Sequence, residues 1–407
     1  MVKIIIEWNM SHLFRAGIFG CLLISAPVLA QTEAERMKAM ENKLESIQTE
    51  LTQLTSGMAK RSSAEDGLPI HGFMDVGFAT NSWGTDAGPM GFYGGALSFY
   101  LAPHFGDRVK ALAEPIFEVT PEGVVAADLE RLQIAYTFSD AATLWAGRFH
   151  TPYGYWNTAF HHGAQIQTSV LRPRFLDFED KGGILPAHMV GLWDTGKFKA
   201  GEGKLTYDVF AGNGPKIAGD TLDVNFAGDN NHQALVGFNL GYEFAGNMDG
   251  LRLAVHGIRG DVDSYNAPTP PSPPTLLNKT GLNMVGGSAV YLSDAWEVMS
   301  EYYSFNDKDK SGSSGTHKSK AGYLQVATTF NRLTPYVRVE RTILDQTDNY
   351  FRVQASGQSY ARQALGLRYN LDQRAALKFE LLNSSFKAES RAAVGYRSLF
   401  IQYAIGF

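Results

Sequence analysis

The last eleven residues, RSLFIQYAIGF, alternate with a period of two. Leu399, Ile401, Tyr403, Ile405 and Phe407 are apolar and share one parity. Ser398, Gln402 and Ala404, small or polar, hold the other, with Phe400 the exception. Successive side chains of a strand point to opposite faces, so this stretch is a strand with one oily face and one wetter face. The same period governs TLWAGRF, with Trp145, Gly147 and Phe149 on one face. It also governs AALKFELLN, where Leu377, Phe379 and Leu381 oppose Lys378 and Glu380. A chain of such strands must cover every oily face and pair every edge.

From residue 70 onward the period of two persists. It predicts strands near 70–80, 91–102, 108–119, 127–138, 143–150, 187–196, 203–212, 233–244, 250–260, 282–292, 295–306, 320–330, 334–343, 360–370, 374–383 and 397–407, sixteen in all. Their connections alternate strictly between seven short turns and eight long stretches (81–90, 120–126, 151–186, 213–232, 261–281, 307–319, 344–359, 384–396). An even strand number with loops sorted by length fits an up-and-down barrel whose two termini lie on one side. A water-soluble sandwich has no reason to sort its loops. No interior apolar run reaches 18 residues, so the body carries no transmembrane helix. Glycine (42), Tyr (18) and Phe (25) are abundant, as barrel bends and aromatic girdles require. A net charge of −5 gives no basic signal for a nucleic-acid partner.

The first 69 residues differ in kind. Lys3 and Arg15 precede the apolar stretch AGIFGCLLISAPVLA, which closes on Val28-Leu29-Ala30, so residues 1–30 read as a secretory signal peptide. Cys21, the only cysteine, lies too close to Arg15 to follow a lipoprotein core, and the chain expected after cleavage has no disulfide. In 31–58, Met37, Met40, Leu44, Ile47, Leu51, Leu54 and Met58 are spaced 3-4-3-4-3-4, a heptad seam over three repeats. A narrow seam of this kind needs a partner. Two readings fit: a self-associating coiled coil, or a helix lying against the barrel rim. Residues 59–69 read as a polar linker. The expected fold class is therefore all-β: a sixteen-stranded antiparallel transmembrane β-barrel over 70–407, preceded by a short α-helical coiled coil.

A charge at the midplane of a lipid-facing surface costs about 2–4 kcal/mol, so charges within strands report the lumen. Parity assigns Lys110, Glu114, Arg131, Arg148, Arg252, Glu297, Glu301, Arg338, Glu340, Arg362, Arg368, Lys378 and Glu380 to that side. Both signs are present, and sixteen strands are wide enough for a water-filled lumen. The longest loop, 151–186, carries Tyr153, Tyr155, Trp156, Phe160, Leu171, Phe175, Leu176 and Phe178, too many apolar groups for a free surface loop. Its charged cluster is Arg172, Arg174, Asp177, Glu179, Asp180 and Lys181. Pro173 holds Arg172 and Arg174 extended and pointing the same way, a pairing suited to anions. The alternative is that the two arginines pair with Asp177, Glu179 and Asp180 and anchor the loop to the wall.

An aromatic residue closing the final strand resembles the C-terminal signature of bacterial outer-membrane β-barrels. That resemblance implies that the segment is the last strand, with Phe407 as the signal read by the outer-membrane assembly machinery. Over 70–407 the architecture resembles the general trimeric porins. With the helix in front, it is similar to porins that carry an N-terminal periplasmic coiled coil, a group including phosphate-selective, sugar and dicarboxylate channels. The resemblance implies a homotrimer in the outer membrane of a Gram-negative cell, surrounded by lipid and lipopolysaccharide. It also implies that the third long loop, 151–186, folds inward and forms a constriction with Arg148.

The function expected is passive diffusion of small hydrophilic solutes, with a weak anion preference from Arg148, Arg172 and Arg174 and with no cofactor. Residues 31–69 are too few for the plug of an energy-coupled transporter. A non-conducting structural or adhesin barrel is the competing class. An outer-membrane phospholipase comes third, since His161, His162 and His188 stand at no nucleophile-base spacing and no third metal ligand accompanies them.

Overall fold

The computed structural model of the chain describes residues 70–81, 91–119, 123–160, 164–177, 183–219, 221–267, 273–353, 359–387 and 394–407. The expected signal peptide, the seam from Met37 to Met58 and the linker lie outside the described residues.

Among the described residues, sixteen long strands form one sheet. In chain order they are β1 (Ile70–Asn81), β2 (Gly91–Leu101), β3 (Val109–Val119), β4 (Val125–Ser139), β5 (Ala142–His150), β6 (His188–Ala200), β7 (Gly203–Gly212), β8 (Leu235–Glu243), β9 (Leu251–Tyr265), β10 (Leu276–Leu292), β11 (Trp296–Asp309), β12 (Thr316–Thr328), β13 (Leu333–Ile343), β14 (Ser359–Asn370), β15 (Ala375–Lys387) and β16 (Val394–Gly406). Each pairs antiparallel with its chain neighbours, and β1 also pairs with β16, from Phe73 opposite Gly406 to Asn81 opposite Ser398. The sheet is a closed barrel with no free long edge, so every strand finds its ladder inside the chain.

Parity sorts the two faces. Leu192, Val255, Val285, Val337, Leu365 and Leu381 point outward and are each more than half exposed. Glu301, Arg338, Lys378 and Glu380 point inward and are buried. Apolar outside and charged inside inverts a soluble protein and matches a wall bathed in lipid. One irregularity matters for the lumen. Pro115 cannot donate to the ladder, and there the register steps from Glu114 opposite Arg131 to Pro115 opposite Leu129. Glu130 is the extra residue, and its side chain turns inward.

Two expected loops are shorter than the sequence suggested. The stretch 261–281 is strand at both ends, because β9 runs on to Tyr265 and β10 begins at Leu276. The stretch 307–319 is a tight hairpin, with Asp309 accepting from the N–H groups of Ser311 and Gly312 at 3.1 and 2.8 Å. Polar composition marked both stretches as loops. Above the oily band, however, a barrel strand no longer needs an apolar face, and the ladder continues.

The apolar core lies inside the barrel. Phe149, Tyr153, Trp156, Phe175, Leu176, Ile184 and Leu185 pack there with Phe210, Tyr303, Phe305, Tyr323 and Tyr360 of the wall. Two further loops join the same cluster. Residues 213–234 form a small hairpin (Lys216–Ala218 with Thr221–Asp223) that lies parallel to the end of β9 and contributes Ile217, Leu222 and Val224. Residues 344–353 contribute Leu344, Tyr350 and Phe351.

Candidate functional site

The long loop leaves β5 at His150 and returns to β6 at His188, and these two residues are Cα partners across the strands. It runs against the inward face of β11 to β15, held largely through its own backbone. Glu301 is the main anchor. It accepts from the N–H groups of Tyr155 (2.9 Å) and Trp156 (2.8 Å) and from the hydroxyls of Tyr303 (2.6 Å) and Tyr323 (2.8 Å). Gly154 makes this approach possible: its φ is +64°, and a Cβ there would collide with the Glu301 carboxylate.

Other wall charges repeat the device. Glu340 accepts from Arg174 N–H at 2.9 Å, Arg338 Nε at 2.8 Å and the Tyr360 hydroxyl at 3.1 Å. Glu380 accepts from the Tyr336 hydroxyl at 2.5 Å and Val170 N–H at 3.2 Å. Glu297 accepts from the Thr168 hydroxyl at 2.7 Å. The cations hold carbonyls: Arg338 holds Leu171 O at 2.8 Å, Arg368 holds Gln165 O and Gln167 O at 2.6 and 2.9 Å, and Lys378 holds Ala164 O and Ser169 O. Loop backbone buried against the wall has no water to turn to, and charge-assisted hydrogen bonds from the wall satisfy it. Arg362 is also inward and buried, with its Nε on the Ser384 hydroxyl at 3.2 Å.

The expected constriction residues divide. Arg172 and Arg174 are 9% and 8% exposed, and the Arg174 guanidinium lies 4.8 Å from the centre of the Phe386 ring. Both sit on the docked side of the loop, and neither presents its charge to open lumen. Asp177 follows a short 3-10 turn (Arg174–Leu176). Glu179, Asp180 and Lys181 lie outside the described residues, as do His161 and His162. Arg148 departs from the parity assigned to it. Its partner on β4 is the outward, exposed Leu132, and its guanidinium folds back to Glu130 O at 3.1 Å and Asp128 at 3.5 Å. The cause is visible in TLWAGRF: Trp145 and Phe149 take the inward parity, which leaves Arg148 the other.

Between the loop and the short turns the lumen holds a polar cavity of about 590 Å³. It extends from Pro152 and Thr158 of the loop to Ser139 and Asp140 of a turn. Lys110, Arg131, Lys197 and Arg252 line it, against Asp140, Asp208 and Glu243. Glu114, the partner of Arg131 at 2.6 Å, is fully buried behind it. Of the charges expected in the lumen, the carboxylates are thus mostly spent on the loop or shielded, while Lys110, Arg131 and Arg252 line the cavity. Lys197, Asp208 and Glu243 were not foreseen, although parity along β6, β7 and β8 carries the signal. The tyrosines that share the carboxylates were also missed, because an inward Tyr reads like a girdle Tyr.

Solved structures share this architecture. The chain is similar to the anion-selective porin from Comamonas acidovorans, at 12% identity and a TM-score of 0.57, over 84% of this chain and 100% of that one. It is also similar to the outer membrane channel DcaP of Acinetobacter baumannii (10% identity, TM-score 0.54, 83% and 96% covered). A third is OmpF of Salmonella typhi, in complex with daunomycin (11%, 0.51, 83% and 97%). The barrel has the porin fold. No family model and no curated protein matches the sequence.

Proposed function

We propose that this chain forms a water-filled channel in the outer membrane of a Gram-negative cell, through which small hydrophilic solutes diffuse down their gradients. The observation that carries this reading is the polar cavity under the loop, lined by charge inside a wall that is apolar outside. Lys110 and Arg252 line it without a partner as close as Glu114 is to Arg131, which favours a weak anion preference with these two cations as its source. This moves the preference away from Arg148, Arg172 and Arg174. Reversal potential across a planar bilayer under a salt gradient is the test: open steps with an anion-leaning reversal potential support the reading, and silence removes it.

The homotrimer, the coiled coil from Met37 to Met58 and export by the N-terminal segment belong to the same reading. Large apolar side chains on β2 to β4, Phe92 (91% exposed), Val119 and Val125 among them, suit a covered face between copies. Unheated detergent gels should show a band near three times the heated one, weakened by Leu44→Asp with Leu51→Asp. A second reading, a non-conducting structural barrel, draws on the packing of 213–234 and 344–353 into the lumen. It predicts folded, inserted protein without conductance.

A further inference from the structure

The outward surface of β11 to β13 carries a continuous run of cations. Asp307 and His317 are buried inward, so Lys308 and Lys318, one step along each strand, point outward and are exposed, and Lys320 follows Lys318 on the same face. The register makes them neighbours. Lys308 lies opposite Thr316, Lys318 opposite Asn306 and Lys320 opposite Ser304. On the other side Lys320 lies opposite Ile343 and Gly322 opposite Arg341. Lys308 is therefore diagonal to Lys318, and Lys320 is diagonal to Arg341. Each step of the chain Lys308–Lys318–Lys320–Arg341 is about 7 Å, set by strand geometry.

No carboxylate interrupts it. The other outward residues there are Ser304, Asn306, Thr316, Gly322 and Ile343, and none of the four cations has an ion-pair partner among the described residues. The contrast with adjacent lysines is direct. Lys279 reaches Asp263 at 3.4 Å, and Lys310 is paired with Asp261. Toward the short turns the same face becomes Tyr302, Leu324 and Val339, all exposed and apolar or aromatic. Like charges this close repel unless an anion lies among them. Their place, just beyond the apolar band at the long-loop end of the barrel, is headgroup level, where clustered Lys and Arg meet lipid phosphates.

We propose that Lys308, Lys318, Lys320 and Arg341 form a docking surface for a lipid carrying more than one phosphate group in the leaflet at the long-loop end. Its phosphates bridge the diagonal cations while its acyl chains lie along Tyr302, Leu324 and Val339. Arg341 offers a planar fork for one phosphate, and the lysines act as point charges for the others. This rests on the membrane reading above but is independent of conduction, because the surface faces away from the lumen.

The test uses the full-length protein, delipidated in mild detergent and titrated with diphosphoryl lipid A under native mass spectrometry. Wild type should bind it at least tenfold more tightly than the variant with Lys308→Gln, Lys318→Gln, Lys320→Gln and Arg341→Gln. Lipid A stripped of its phosphates should bind both alike. If the fourfold variant does not fold, Lys318→Gln with Lys320→Gln serves, with a several-fold loss expected. Equal binding by wild type and variant overturns the proposal, and so does equal binding of the phosphate-free lipid. Complete displacement by inorganic pyrophosphate at equal concentration reduces the surface to an ion site and also overturns it. Unchanged single-channel conductance in the variant shows that a loss of binding is not a loss of the channel.

Discussion

Gly72 and Phe407 exchange both backbone hydrogen bonds, each N–H donating to the other's carbonyl at 3.0 Å. This pair closes the barrel at the short-turn end. It needs glycine: a Cβ on residue 72 would lie 2.5 Å from a ring carbon of Phe407 and 2.5 Å from Ser98 O. The aromatic end of the final strand and a bare backbone on the first are one fitted joint. Gly72→Val should cost about 1–3 kcal/mol, as overpacking does, and slow closure. The heat-modifiable gel band should then form more slowly and melt at lower temperature. A variant indistinguishable from wild type would show that the joint with Phe407 does not depend on a bare backbone at residue 72.

The loop is predicted to depend on Glu301. Hydrogen bonds to a charged acceptor contribute about 1.5–3 kcal/mol each, and Glu301 collects four. Glu301→Gln keeps the size of the side chain and removes the charge. Hydrogen exchange at residues 151–160 should rise at least tenfold, with the barrel ladder unaffected. Gly154→Ala should do the same by steric displacement. Deleting 157–181 should raise conductance several-fold with insertion intact. Unchanged exchange in both point variants would mean that the apolar packing of Tyr153, Trp156 and Phe175 holds the loop without them.

The strands and their faces were legible in the sequence because lipid enforces parity strictly. Lys378 and Glu380 against Leu377, Phe379 and Leu381 gave an orientation that the structure keeps. Arg148 failed because one parity was assigned to a strand whose neighbouring residues already claimed the other. The destination of the lumen charges was not legible. Glu301, Glu340 and Glu380 read as channel charges and instead hold backbone, since the sequence does not show that a loop will lie over them. The filling by 344–353 was hidden for the same reason: its contacts are with strands far away in the chain.

Ion preference should follow the cations that line the cavity. Lys110→Gln with Arg252→Gln removes two charges from the cavity wall without breaking a pair as tight as Arg131 with Glu114 at 2.6 Å. The anion-to-cation permeability ratio should fall, and the folded yield should stay near wild type. Arg172→Ser with Arg174→Ser should behave oppositely. Both side chains are buried, so folded yield should drop while the ratio in surviving channels holds. If the second pair shifts the ratio and the first does not, the charge that selects is in the loop after all.

The last prediction concerns pH and the loop 344–353. Asp348 caps the short helix Asn349–Arg352, accepting from Tyr350 N–H at 2.9 Å, and Tyr350 in turn donates its hydroxyl to Ile184 O of the inward loop at 2.9 Å. Burial pushes the Asp348 carboxyl above the usual carboxylate range. The side-chain hydrogen bond from Asp307 pulls it back toward the usual range, and two carboxyl groups can make that bond only with a proton between them. A folded-state value above the unfolded one gives docking stability that is full below the ordinary carboxylate pKa of about 3.9 and is lost as pH rises through the raised value. Asp345 works the other way. Burial pushes it up, but the hydroxyl and N–H of Thr347 and the nearby His317 outweigh burial and hold it below the usual range. Its contribution is therefore present above the ordinary pKa and lost as pH falls through the lowered one. Protection of 344–353 from hydrogen exchange, corrected for intrinsic rates, should decline as pH falls through the lowered Asp345 value and as pH rises through the raised Asp348 value. Asp348→Asn retains the cap, cannot ionise, and should remove the decline at higher pH only. A variant that loses protection equally at every pH would show that the cap, and not the proton shared with Asp307, keeps the loop in place.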